Sequence, residues 1–140
     1  LAFLESLNLE DRFQLTPDNP RRYFVEIAGK QLPIAPDHVI EDRLTQRPLI
    51  FFGVKKSFRE RWKTDDRDSA LTKIKYPETI WIEIIDKEHF DDTNEQIVRH
   101  ISRTEKKSSF DMVCSTSVAD TIKIMFDKVE TFLKIKRGLV

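Results

Sequence analysis

The feature that most constrains this chain is a run of apolar residues near its C-terminus. Val118, Ile122, Met125, Phe126, Val129, Phe132 and Leu133 fall at offsets 0, 4, 7, 8, 11, 14 and 15. That spacing builds one broad apolar face on a 3.6-residue period. Ser117, with Asp120 three residues on, has the form of a capping box, which places the helix start there. Lys134, Lys136 and Arg137 suit the negative end of the helix dipole, and Gly138 can take the left-handed cap. The prediction is a long amphipathic helix. A short apolar strand over residues 110–114 precedes it, with Ser115, Thr116 and Ser117 between them.

Upstream, residues 1–13 carry Phe3, Leu4, Leu7 and Leu9 among acidic residues and suggest a short helix ending near Asn8 or Asp11. Residues 16–20 are a dense turn cluster and a plausible sub-boundary. Residues 23–27 read as a strand, turned at Ala28 and Gly29 into an arm over 31–34, which Pro33 would confine to an edge. Pro36 and Asp37 suit a helix start, with Val39, Ile40 and Leu44 as the buried side. Residues 48–52 are a continuous apolar run, the pattern of a strand buried on both faces, which Gly53 would end.

Ser57 and Glu60 form a second capping box, opening a helix on which Phe58 and Trp62 make an i,i+4 pair. Residues 64–69 read as a polar loop. In 71–76, Thr72, Ile74 and Tyr76 alternate with Lys73 and Lys75, as in a strand. Residues 80–85 are the strongest strand pattern in the chain. An acidic connector over 86–92 leads to a helix from about Thr93, carrying Ile97, Val98 and Ile101 inward and ending in a charged turn over 104–107.

From Pro48 onward strands and helices alternate, which favours βαβ units. The expected fold is α/β: a layered, mixed but largely parallel sheet flanked by helices. An N-terminal β-hairpin makes the sheet mixed, and the long C-terminal amphipathic helix packs last. The rival is α+β with an antiparallel sheet. The 140 residues suit one globular domain spanning 1–140, read as a fragment of a longer protein because Leu1 is not a start methionine.

Composition removes several function classes. Lys+Arg and Asp+Glu are both 24, so the chain lacks the positive field of a non-specific nucleic-acid binder. Three glycines cannot build a Gly-rich phosphate loop. Cys114 is the only cysteine, which excludes an intramolecular disulfide and a cysteine metal cluster and suits a reducing, intracellular (cytoplasmic) setting. No apolar run reaches the ~18 residues of a membrane span, so no membrane partner is expected.

Three sets of residues carry possible chemistry. Glu83 lies inside the apolar run 80–85, followed by Asp86 and Lys87. A carboxylate in such a strand is costly to bury unless paired or bound to a metal. With Glu26 as a further acid, these residues outline a Mg²⁺ site with a lysine for phosphate charge. The plainer reading is a partly solvated strand face. Ser115, Thr116 and Ser117, helped by Lys55 or Lys56, form a candidate anion-binding turn at a helix N-terminus, or simply cap the helix. Lys55, Lys56, Arg59, Arg61 and Lys63, interleaved with Phe58 and Trp62, suggest a nucleic-acid-binding patch, unless the aromatics face the core. His38, His89 and His100 show no metal-ligand spacing. Cys114 ends a strand near a helix N-terminus, where a thiol pKa can fall, although a small buried hydrophobe is the commoner role.

Two functions follow. The first is a non-catalytic recognition or regulatory domain that binds a protein partner, the remainder of a longer chain or a small anionic ligand such as a nucleotide. The second is a metal-dependent nuclease or phosphodiesterase on Glu83, Asp86 and Lys87, with Mg²⁺ as cofactor.

Overall fold

The computed structural model describes residues 2–17, 23–56, 62–86 and 93–138. In chain order its elements are α1 (Ala2–Ser6), β1 (Phe13–Pro17), β2 (Tyr23–Ile27), β3 (Lys30–Ile34), β4 (His38–Asp42), β5 (Pro48–Lys55), α2 (Trp62–Lys75), β6 (Ile80–Ile85), α3 (Asn94–Lys107), β7 (Met112–Ser115) and α4 (Ala119–Arg137). β1, β4, β5, β6 and β7 form one sheet in that order, and β2 and β3 form a separate two-stranded sheet.

The α/β expectation holds, with a different balance of directions. β1 with β4 and β4 with β5 are antiparallel, whereas β5 with β6 and β6 with β7 are parallel. The sheet is therefore evenly mixed rather than largely parallel. The β2–β3 hairpin does not enter it. That hairpin turns at Ala28 and Gly29, both with positive φ.

Side chains alternate across each strand, and two apolar clusters divide accordingly. Val39, Phe51, Trp81, Ile85 and Val113 join Leu71 of α2, Ile97 and Ile101 of α3, and Tyr23, Val25 and Ile34 of the hairpin. Ile40, Ile50, Phe52, Ile82, Met112 and Cys114 join Leu4 and Leu9 with Met125, Val129 and Leu133 of α4. The first cluster is built on aromatic rings: Phe51 stacks on Trp81 at 5.8 Å, Phe110 on Trp81 at 6.4 Å, and Tyr23 meets Phe51 edge-on at 5.4 Å.

α4 keeps its predicted face and stop: Met125, Val129 and Leu133 are buried and Gly138 takes φ 81°. Its start differs. Val118 is the N-cap and makes no side-chain cap bond. Thr121 Oγ1 accepts from Ser115 N at 3.0 Å instead, so the hydroxyl that ties the strand to the helix lies inside the first turn. α3 does begin at a capping box, between Thr93 and Gln96. It continues through the expected turn to Lys107, and Val98 is outward at 46% exposure.

Three other expectations give way. The helix predicted after Pro36 is strand β4, because Val39 and Ile40 are β-branched and face opposite clusters, whereas Leu44 lies in the following turn at 74% exposure. The predicted strand over 71–76 and the loop over 64–69 are both part of α2. That helix buries Asp65, Asp68, Ser69 and Thr72, which have helical spacing but are polar, so no apolar period announces it. Gly53 does not end its strand, since β5 continues to Lys55. β1 is a strand that no sequence pattern announces, lying between the short N-terminal helix and the turn cluster at 16–20, whose first residues it includes. The turn cluster's residues 18–20 and the second capping box, Ser57 with Glu60, lie outside the described residues.

The burial of α4 gives a direct test. Leu133→Ala should cost about 2–5 kcal/mol in a denaturant unfolding experiment. Ile124→Ala, on the same helix at 58% exposure, should stay within about 0.5 kcal/mol. Equal losses would show that the helix packs on another face.

Candidate active site

β6 positions the first functional side chain. Trp81, Glu83 and Ile85 alternate with Ile80, Ile82 and Ile84, so Glu83 projects to the side of the sheet covered by the aromatic cluster. Its register neighbours are Gly53 on β5 and Val113 on β7. Gly53 has no side chain, and the Glu83 carboxyl fills that gap: a Cβ built on Gly53 would overlap Glu83 Oε1 and Asp65 Oδ2. A glycine inside a buried strand here serves close approach of another group.

The first turn of α2 brings Asp65 to the same place. Glu83 is fully buried and Asp65 is 3% exposed. The two carboxyls hydrogen-bond to one another. Two acceptors can share a bond only if one carries a proton. Glu83 holds it: burial pushes its pKa up to about 9, the hydrogen bond and negative charge of Asp65 push the same way, and the indole of Trp81 and the ammonium of Lys55 oppose. Trp81 Nε1 donates to Glu83 Oε1 at 3.1 Å. Asp65 is also raised by burial, against the bond from Glu83 and the charge of Lys55, with Asp37 adding to the rise.

Glu83 Oε2 meets no hydrogen-bond donor among the described residues. Lys55 lies on the same strand face as Gly53, and its Nζ is 3.5 Å from Asp65 Oδ2, an ion-pair distance. Asp37 locks the strand beneath them. Its N–H donates to Phe52 O at 2.8 Å, and its Oδ2 accepts from Val54 N at 2.7 Å. The cluster thus comprises Asp37, Lys55, Asp65 and Glu83 around Gly53, at the carboxyl ends of parallel strands β5 and β6. That is where ligands bind in open α/β sheets.

Among the described residues, no three His, Cys, Asp or Glu side chains are arranged to hold a metal ion. The pair offers two carboxylates. Mg²⁺ is commonly held by one or two carboxylates, with substrate phosphates and water completing its shell.

The other candidates lie apart. Asp86 is exposed and its Oδ1 accepts from Thr116 Oγ1 at 3.0 Å. Glu26 is exposed on the hairpin. Lys87, His89, Phe58, Arg59 and Arg61 lie outside the described residues. Lys56 and Lys63 are exposed, whereas Trp62 packs edge-on against Phe110 at 6.2 Å. Ser115 is buried and accepts from Ser117 N at 3.2 Å, and Thr116 N donates to Ile85 O at 3.1 Å. The groups of that turn serve one another. His38 is exposed on β4 and His100 is half-buried on α3. The Cys114 thiol is pushed up to about 12 by burial and by the charges of Glu105 and Glu83, so it stays protonated and packs as a hydrophobe.

Glu83 and Lys55 were therefore singled out from sequence as members of separate sites, and the fold joins them. Asp65 and Asp37 were missed. One available signal was Gly53 itself, a lone glycine in an otherwise apolar strand run. Another was the buried polar stripe of α2. Compared with known proteins, the chain matches no family model, no curated protein and no solved structure.

Two measurements follow. The folded chain keeps a proton on Glu83 up to about pH 9, while the unfolded chain releases it near 4.5. The folded state thus binds more protons across that window, and this group's contribution is full below it and lost as pH rises through it. The melting temperature in chelator should fall from about pH 6 to about pH 8.5, more steeply for the native chain than for Glu83→Gln. In a double-mutant cycle, Gly53→Ala should cost ~1–3 kcal/mol and cost less in a Glu83→Ala background. Additive losses would mean the methyl meets something else.

Proposed function

We propose that the chain carries a metal-dependent phosphodiesterase site acting on nucleic acid, formed by Glu83, Asp65 and Lys55. The supporting observation is the buried carboxyl pair, in which Glu83 Oε2 has no hydrogen-bond donor among the described residues and Asp65 Oδ2 faces Lys55 Nζ at 3.5 Å. A carboxyl pair in an apolar core is costly unless a cation or proton compensates it, and such perturbed acids cluster at functional sites.

A divalent cation on this pair would polarise a phosphoryl oxygen and acidify a bound water. The chain's own residues supply the rest. Glu83 and Asp65 present the oxygens, with Trp81 orienting the first and Lys55 facing the second. Lys55, 23% exposed, has the reach to meet charge developing on a phosphate. Asp37 holds the backbone at Val54, between Gly53 and Lys55. The exposed Lys56 and Lys63 flank the cluster along the chain and suit a polyanion.

The test is hydrolysis of labelled single- and double-stranded DNA and RNA with Mg²⁺ or Mn²⁺. Cleavage should require the cation and fall by at least about 100-fold in Glu83→Ala and in Lys55→Met, while Asp86→Asn stays within about threefold. Cleavage that survives Glu83→Ala would move the chemistry elsewhere. No cation-dependent cleavage of any substrate would return the chain to the recognition-domain reading.

A further inference from the structure

We propose that a cavity at the end of the sheet opposite the carboxyl pair binds a small phosphomonoester. The site shares no residue with the carboxyl cluster and is independent of the phosphodiesterase reading. The cavity, of about 350 Å³, lies where three segments meet: the β4–β5 turn with Arg47, the last turn of α2 with Lys75, and the last turn of α4 with Lys136. Pro48 opens β5 and Thr79 immediately precedes β6, and both line the cavity, so it sits at the amino ends of these parallel strands. That volume is at the lower end of small-molecule sites and suits a phosphate with a short organic body rather than a polymer.

Charge selects the ligand. The chain has equal numbers of acidic and basic residues, yet three cations line this cavity against two carboxylates, Asp42 and Glu78. Asp42 is already matched by Arg12, whose Nε and Nη2 both donate to its carboxyl. Glu78 meets Lys136 at 3.7 Å, but its side chain is 84% exposed, so water screens that pair. Lys75 Nζ donates to a neutral group, Phe24 O, at 2.9 Å. The Arg47 guanidinium has no hydrogen-bond or ion-pair partner among the described residues. Positive charge in excess of its counter-ions around a cavity recruits an anion. Arg47 adds a planar fork that meets two phosphate oxygens at once. Leu49 and Pro77 give the wall an apolar part for the carbon body of the ester.

The walls are held before any ligand arrives. Asp42 Oδ1 accepts from Leu44 N at 2.8 Å, Asp42 O accepts from Gln46 N at 2.7 Å, and Asp42 N donates to Arg47 O at 2.9 Å. These bonds fix the turn that carries Arg47. Tyr76 O accepts from Thr79 N at 3.1 Å and from Thr79 Oγ1 at 2.8 Å, which fixes the turn from α2 into β6. Binding therefore costs little ordering of the backbone.

Titration calorimetry on the full chain tests this, with glycerol 3-phosphate, inorganic phosphate and succinate as probes, near pH 7.5 where a phosphomonoester is largely a dianion. Glycerol 3-phosphate should bind more tightly than succinate. Arg47→Ala should weaken it roughly tenfold. Glu78→Gln removes the carboxylate that competes for Lys136 and should tighten it about threefold. Damage to the fold can weaken binding but cannot tighten it, so the second variant separates the site from misfolding. Equal affinity in the native chain and Arg47→Ala, or unchanged or weaker binding in Glu78→Gln, overturns the site. Succinate bound as tightly as glycerol 3-phosphate overturns the choice of phosphate. No binding of either phosphate probe at millimolar concentration overturns the proposal outright. Each of these outcomes leaves cation-dependent cleavage at Glu83 to its own test.

Discussion

The contact between the Glu83 and Asp65 carboxyls is the constraint around which the middle of this chain is arranged. Placing two acids in a dry interior is unfavourable by several kcal/mol unless a proton or a cation intervenes. The surrounding elements are consistent with that demand. Gly53 leaves room for the carboxyl on the neighbouring strand. Trp81 supplies a donor from two residues away on the same strand. Lys55 supplies the charge. Asp37 holds the segment that carries both Gly53 and Lys55 in register.

α2 is the element most shaped by this arrangement. Its buried residues are Leu71 and the polar Asp65, Asp68, Ser69 and Thr72, and each polar one has a polar partner. Asp68 Oδ2 accepts from Ala35 N at 3.0 Å, which ties the helix to the hairpin side of the molecule. Ser69 Oγ lies 3.3 Å from Ser109 O, and Asp66 accepts from Ser109 N at 2.6 Å, tying it to the segment before β7. The helix is therefore docked by directed bonds together with the apolar contacts of Leu71 and Trp62. Directed bonds fix a helix in one rotation, as a site assembled from its first turn requires.

The differences between reading and fold share this origin. Hydrophobic periodicity located α4, β5, β6, β7 and the hairpin, because in those elements most of the buried residues are apolar. It failed for α2, whose buried residues are mostly polar and whose Thr72, Ile74 and Tyr76 imitate a strand. It failed for β4 as well, because proline and an acid at 36–37 resemble a helix start. In the structure Asp37 is used across the sheet instead, on Val54 N. Lys55 was assigned to a basic surface patch because its neighbours are basic. Only the fold shows that it turns inward to Asp65.

By itself the sequence determined the mixed α/β class, the long C-terminal helix with its Gly138 stop, the core strands β5, β6 and β7, and the anomaly of Glu83 within an apolar run. These follow from local rules: periodicity, capping and the cost of burying charge. The tertiary structure alone decided the strand directions, the polar docking of α2 and the meeting of Asp37, Lys55, Asp65 and Glu83. Those residues are spread from position 37 to position 83. Their common chemistry comes from register and helix rotation, which no local pattern encodes.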